Sequence, residues 1–199
     1  MIQLQVEVPI ACFRQSWARE FAETYPVPPP ATVYGMLLSL LGEWDRHRYC
    51  GSQLAIALLS QPQLSTVIRT LRRFKTKDIQ HPNNARPDYQ QLLTDVQIAV
   101  LVNGSLAHDL ERAFENPELI DRSGGLSLGE SRDLVNSVTA IQKVPLGGRW
   151  LIQDEDGILT LPYWVDHVGS RDTRWRRYSL RTLEGDDVPE LAWTEICPN

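Results

Sequence analysis

Hydrophobic positions alternate from the first residues onward. Ile2, Leu4, Val6, Val8 and Ile10 fall on one side, and Gln3, Gln5 and Glu7 on the other. That period of two predicts a strand with one buried face. Residues 13–30 carry no such period and end in Tyr25-Pro26-Val27-Pro28-Pro29-Pro30, a stiff extended segment that excludes helix. Beyond it, Val33, Met36, Leu37, Leu40, Leu41 and Trp44 recur at helical spacing, with Thr32 as the expected N-cap. The apolar run 54–59 predicts a short buried strand. Residues 63–75, β-branched and basic, predict an exposed strand, and Pro82, Asn83, Asn84 and Pro87 mark 81–88 as a loop tip. Val96, Ile98, Val100 and Val102 alternate again, a strand over 93–102 closed by Asn103-Gly104. Ser105 is the expected cap of a second helix, with Leu106, Leu110, Ala113 and Phe114 inward and Asn116-Pro117 as its stop. A strand over 138–144 follows, then short β runs at 150–152, 158–165 and 175–183.

This order is strand, helix, strand, hairpin, strand, helix, strand. It predicts an α+β fold, a ferredoxin-like domain with an insertion at its middle hairpin. The expected division is residues 1–144 for that domain, with the insertion at about 68–92, and 145–199 for a small C-terminal β-rich region.

Charge changes this picture more than composition does. With 199 residues, 42% hydrophobic and 23% charged, the chain can bury a core and is not disordered. Its net charge of −5 argues against a protein that binds nucleic acid by bulk charge alone. The distribution is uneven, however. Residues 68–87 hold Arg69, Arg72, Arg73, Lys75, Lys77 and Arg86 against Asp78, and residues 171–181 hold five arginines against Asp172. Two basic stretches on an acidic body point to a localised anionic partner. Cys12, Cys50 and Cys197 form no CxxC pair, and His47, His81, His108 and His167 lack ligand spacing, so neither a disulfide framework nor a metal or other cofactor is expected. The longest apolar stretch, 33–41, falls well short of the roughly 20 residues that span a bilayer. The expectation is a soluble cytoplasmic protein with no membrane role.

Four features could carry chemistry. The segment Gly124-Gly125-Leu126-Ser127-Leu128-Gly129-Glu130-Ser131-Arg132 offers backbone N–H groups, hydroxyls and a guanidinium that suit phosphate oxygens, or it is a plain connection. It is neither a Walker loop nor a dinucleotide fingerprint. The proline-to-helix junction presents a helix N-terminus beside Tyr25, Thr32 and Tyr34, or the prolines merely stiffen a connection. The basic hairpin interleaves cations with Phe74, His81 and Tyr89, as single-stranded nucleic acid favours, or its cations protect a sheet edge. Residues 171–178 are a second contact, a docking surface or a strand with one charged face. No catalytic motif stands out, although Lys77, His81 and Tyr89 share one insertion and could serve acid–base cleavage.

Phe13-Arg14, then Thr24-Tyr25-Pro26-Val27-Pro28-Pro29-Pro30-Ala31-Thr32-Val33-Tyr34-Gly35-Met36-Leu37 and Leu41-Gly42, resembles the signature of the Cas-five subunits of type I CRISPR Cascade complexes, in the RAMP superfamily. Residues 126–132 are similar to that family's later motif, with Glu130-Ser131-Arg132-Asp133 where many members carry Arg-Arg-Glu-Cys-type residues. The resemblance implies an RNA-recognition-motif-like domain with a hairpin thumb. It implies a non-catalytic subunit that grips the repeat-derived 5′ tag of the CRISPR RNA. Such a subunit caps a backbone of Cas-seven subunits, adjoins the Cascade large subunit and meets target DNA only indirectly. The alternative is a metal-independent endoribonuclease that processes the repeat RNA, as in one branch of the family. On this resemblance Arg14, Thr32 and Tyr34 touch the tag. Gly125, Ser127, Gly129, Ser131 and Arg132 lie along it, and Arg73, Lys75, Lys77, His81 and Arg86 belong to the thumb.

Overall fold

The alternating N-terminal run is a strand in the computed structural model of the protein, which describes residues 1–72, 74–166, 172–183 and 188–197. In chain order the elements are β1 (Ile2–Ala11), β2 (Phe21–Ala22), α1 (Pro30–Leu41), β3 (Gln53–Leu58), β4 (Gln63–Arg72), β5 (Ala85–Asn103), α2 (Ser105–Glu115), β6 (Ser137–Ala140), β7 (Arg149–Gln153), β8 (Leu159–Val165), β9 (Thr173–Thr182) and β10 (Trp193–Glu195). In β1, Ile2, Leu4, Val6 and Val8 are buried as their period requires, but the alternation then slips. Ala11 is buried and Ile10 is exposed, because Pro9 interrupts the strand opposite Asp95, which sits at φ 58. Asp is among the few residues that tolerate this left-handed conformation.

The central strands run in the order β6-β1-β5-β3, and each neighbouring pair is antiparallel. α1 links β1 to β3, and α2 links β5 to β6. β4 forms a hairpin with the outer half of β5, from Gln63 opposite Thr94 to Arg72 opposite Ala85. β5 therefore begins at Ala85 and takes in part of the expected loop. The described residues 74–84 form the connection, which ends in the short 3-10 segment Pro82–Asn84. Pro87 is tolerated in this strand because β5 is paired there on the β4 side alone.

Several local expectations are corrected. Thr32 lies in the first turn of α1, and the cap is Pro29. Pro30 fits the first helical position, where its missing N–H costs nothing. α1 ends at Leu41 because Gly42 adopts φ 72 and its N–H reaches Leu38 O and Ser39 O, which leaves Trp44 outside the helix and 93% exposed. Ser105 is the first helical residue of α2 behind Gly104, and Phe114 is only half-buried. β6 is shorter than the expected 138–144 and stops at Ala140.

The C-terminal strands extend the same sheet. β7 joins the outer edge of β3, with β9 and β8 beyond it, and β10 also pairs with β3. On the helical face one core unites Leu4, Ile98, Leu37 and Leu110 with Trp164 and Tyr178 from β8 and β9. The opposite face has its own layer. Ala55, Ala57 and Ala99 leave room for the segment around Val188, Ala192 and Trp193 to pack over Leu101, Trp150 and Ile152. We expect Trp164→Ala to lower the stability of the whole chain by about 3–5 kcal/mol, the usual cost of emptying a buried Trp site. A single thermal transition shifted downward in circular dichroism is the expected result, and two separated transitions would mark residues 145–199 as an independent unit.

Candidate nucleic-acid interface

The end of β1, the N-terminus of α1 and the glycine-rich segment close around one groove of about 430 Å³. Arg14, Thr32, Gly35, Arg46, Ser127 and Gly129 line it, and Pro162 and Val165 of β8 wall it. Residues after β1 are folded back by backbone pairing of Arg14 with Thr24, by the Phe13 N–H donating to Thr24 Oγ1 at 2.8 Å, and by the Tyr25 N–H donating to Phe13 O at 2.8 Å. The Arg14 guanidinium donates to Ala18 O at 3.1 Å and Arg19 O at 3.2 Å and stays exposed.

The glycine-rich segment is a closed turn. The Leu128 N–H donates to Asp133 O at 3.0 Å, and the Asp133 N–H to Glu130 O at 2.9 Å. Leu128 plugs into the core and is fully buried. The buried Asp133 carboxylate accepts from the Cys12 N–H and the Glu130 N–H, each at 2.8 Å, and so staples the turn to the end of β1. Burial pushes this carboxyl above the ordinary aspartate range, with Glu130 nearby adding to the shift and the two N–H donors opposing it. Gly129 explains the close approach. It sits at φ 116, and a Cβ there would lie 2.7 Å from Asp133 Oδ2 and 2.9 Å from Cys12 O. This glycine thus answers to the protein's own backbone. Asp133 was not a candidate from sequence, and its only signal is a carboxylate four residues past a turn glycine.

The candidate residues divide into groups. Arg14, Thr32, Ser127 and Gly129 meet in the groove. Tyr34 does not face it, because its ring is fully buried and its hydroxyl donates to Arg46 O at 2.6 Å. Burial pushes its phenol up to about 12, so it remains a donor. It instead supports Arg46, whose guanidinium lies 5.3 Å from the Tyr34 ring and 5.6 Å from that of Trp164. Gly125 packs under Leu134, and Ser131 is exposed on the turn. Arg132 is tied to Glu130 at 2.5 Å and to Gln90 at the base of the hairpin. Arg132 is matched by Glu130, and Arg14 presents an exposed guanidinium to the groove, a setting for an anion.

At the hairpin tip, Asn84 gathers the loop. It accepts from the Lys75 and Thr76 N–H groups and donates to Thr76 O and Asp78 O. The His81 Nδ1 accepts the Asn83 N–H and caps the turn, and the ring is half-exposed. Arg86 is held by Glu20 at 2.7 Å and Asp88 at 3.4 Å. Lys75 and Lys77 remain exposed, with no ion pair among the described residues. Arg73 lies outside the described residues. Tyr89 packs edge-on against Phe21 and sits four rungs below the end of the ladder, about 13 Å along the strand, so Lys77, His81 and Tyr89 do not converge. Among the described residues no cluster suits a metal ion, and no helix is long and apolar enough to cross a membrane.

The basic stretch of β9 is engaged by its own hairpin. Arg174 pairs with Asp172 at 2.9 Å, and Arg176 lies 4.6 Å over the Tyr163 ring. Arg177 donates to Glu155 O and Gly157 O, and Arg181 pairs with Asp154 at 2.5 Å. Arg171 lies outside the described residues.

Residues 1–136 match the family model described as CRISPR-associated protein (Cas_Cas5). A curated relative from Myxococcus xanthus (strain DK1622), CRISPR-associated protein Cas5, is 43% identical over 187 residues, 88% of this chain and 87% of the relative. The chain belongs to the Cas5 family. Its fold is also similar to a solved CRISPR RNA-guided surveillance complex chain, at 13% identity and TM-score 0.63 over 90% of this chain and 88% of the other. A crystal structure of a Cas protein matches at 16% identity and TM-score 0.56, covering 94% and 99% of the two chains.

The Asp133 staple makes a prediction whose sign can be worked out. A carboxyl raised in the fold holds its proton more tightly there than in the unfolded chain. It therefore favours the fold below the ordinary range near about 3.9, and that advantage is lost as pH rises through the raised value. Asp133→Asn keeps an acceptor and sheds the charge. The urea midpoint of wild type relative to Asp133→Asn should fall as pH rises from about 4 through that window. Asp133→Ala should cost about 1–3 kcal/mol for each N–H left unpaired. A pH-independent difference between wild type and Asp133→Asn would refute the assignment.

Proposed function

We propose that the chain is a CRISPR RNA-associated subunit of a type I Cascade complex, and that it grips the repeat-derived 5′ tag in the groove beside α1. The observation that carries this reading is the convergence of the two family motifs. Arg14 and Thr32 from the first and Ser127 and Gly129 from the second are about 90 residues or more apart in sequence, yet they line one groove. Arg14 supplies positive charge there, and Pro29, Ala31 and Thr32 at the start of α1 line the same space. The strand order β6-β1-β5-β3 with α1 and α2 supports a ferredoxin-like domain. The sheet face that an RNA-recognition motif offers to RNA is filled here by Val188, Ala192 and Trp193, which favours the groove as the site.

The β4–β5 hairpin is then the thumb, with Lys75 and Lys77 against the RNA backbone. Exposed Leu64, Ile68, Phe74 and Tyr89 suit protein neighbours, in this reading the Cas-seven backbone that the subunit caps. The large subunit adjoins it, and target DNA is met indirectly. The role is binding and assembly in the cytoplasm, with the groove holding RNA and no residue cutting it.

Fluorescence anisotropy with CRISPR RNA carrying an intact or scrambled tag tests this. The intact tag should bind more tightly. Arg14→Ala should weaken it by about 10-fold or more, as for losing a charge-assisted contact, and barely affect the scrambled RNA. The double change Lys75→Ala with Lys77→Ala should weaken both RNAs and lower the slope of log K against log salt by about 0.7 per lysine. Equal binding of both RNAs by the wild type would sink the reading.

A further inference from the structure

Two exposed indoles meet at the rim of the groove, from opposite ends of the sequence. Trp175 in β9 stands opposite Pro162 in the β8–β9 ladder, so both lie on one face of that hairpin, and Pro162 walls the groove. The Trp175 ring lies 6.4 Å from that of Trp17, with the planes 33° apart. Trp17 in turn meets Tyr25 edge-on at 5.8 Å, and Tyr25 lines the groove from within. Trp17 is 55% exposed and Trp175 37%, although both are large apolar rings packed on one side.

The turn that carries Trp17 is held in place. Ala18 is buried and its N–H donates to Gln15 O at 3.1 Å, while the Arg14 guanidinium clamps Ala18 O and Arg19 O. The cation of the groove and the exposed ring are thus fixed by the same contacts. A rigid aromatic surface with little order left to lose is suited to binding. Its place beside Arg14 suits a strand whose phosphates follow the cations while its bases stack on rings.

We infer that Trp17 and Trp175 form a stacking platform for an unpaired base of the bound RNA, and that β8 and β9 thereby complete the RNA site. This rests on the groove being the RNA site. It assigns a recognition role to strands that lie beyond the residues matched by the family model. The β9 arginines serve to hold this hairpin in place, and the ring is what it presents.

The test uses the full chain and tagged RNAs carrying 2-aminopurine at successive tag positions, since stacking on an indole quenches its fluorescence. One or two adjacent positions should be quenched on binding to wild type and recover with Trp17→Ala or Trp175→Ala. Affinity should fall by about 5-fold or more, the effect of losing one stacked base, and Trp17→Phe should restore most of it. Melting curves of the Phe variant guard against a mere folding defect. Unchanged affinity and quenching in the Trp variants, with tagged RNA still bound, would overturn the platform and leave the groove reading intact. Intact RNA binding with loss of a Cas subunit on purification would make the surface a protein contact and likewise overturn it. No binding of tagged RNA to wild type would overturn both.

Discussion

The pairing of β5 is the constraint on which the rest of the molecule leans. Its inner half is hydrogen-bonded on both sides, to β1 and β3, and its outer half continues without a break into the hairpin with β4. The hairpin is therefore an extension of the central sheet rather than a loop attached to it. A lysine at its tip is carried by a ladder whose other end is in the core. β2 joins this strand at Tyr89 and Gln90, and Arg132 reaches Gln90, so the groove and the hairpin are tied to the same rungs.

The groove is built by satisfying buried polar groups. Asp133 is taken out of water at a cost that its two N–H donors partly offset, and the result is a turn that cannot drift from β1. Gly129 lets the two backbones touch. Tyr34 works from beneath, holding a carbonyl of the segment that bears Arg46. Each of these residues shapes the cavity while pointing away from it or into protein.

Charge is handled locally. The acidic surplus does not oppose the basic stretches as a uniform field, because carboxylates sit beside particular arginines. Arg69 and Arg86 share Asp88, and the β9 arginines meet carboxylates, carbonyls or a ring. What is left for an anion is sparse and placed: Arg14 in the groove, and Lys75 and Lys77 at the tip. The formal count of cations in a stretch overstated its free charge, since pairing depends on neighbours distant in sequence.

The sequence by itself determined the longer elements and their order, but not the short strands β2 and β10. Period two in residues 2–8 reflects one buried sheet face, and the spacing in 106–113 reflects one buried helix stripe. These are local properties of the chain, as is the stop that prolines impose before α1. The motifs legible in it also named most of the groove: Arg14, Thr32, Ser127 and Gly129. Tertiary structure decided what those motifs touch. It turned Tyr34 into the core, set Asp133 as the staple and brought Pro162, Val165 and Trp175 to a groove made by the other end of the chain. It also put Arg86 between two carboxylates. None of this shows as a period or a short motif, because contact between α1 and β8 depends on how strands are ordered in a sheet, and strand order is written in long-range packing.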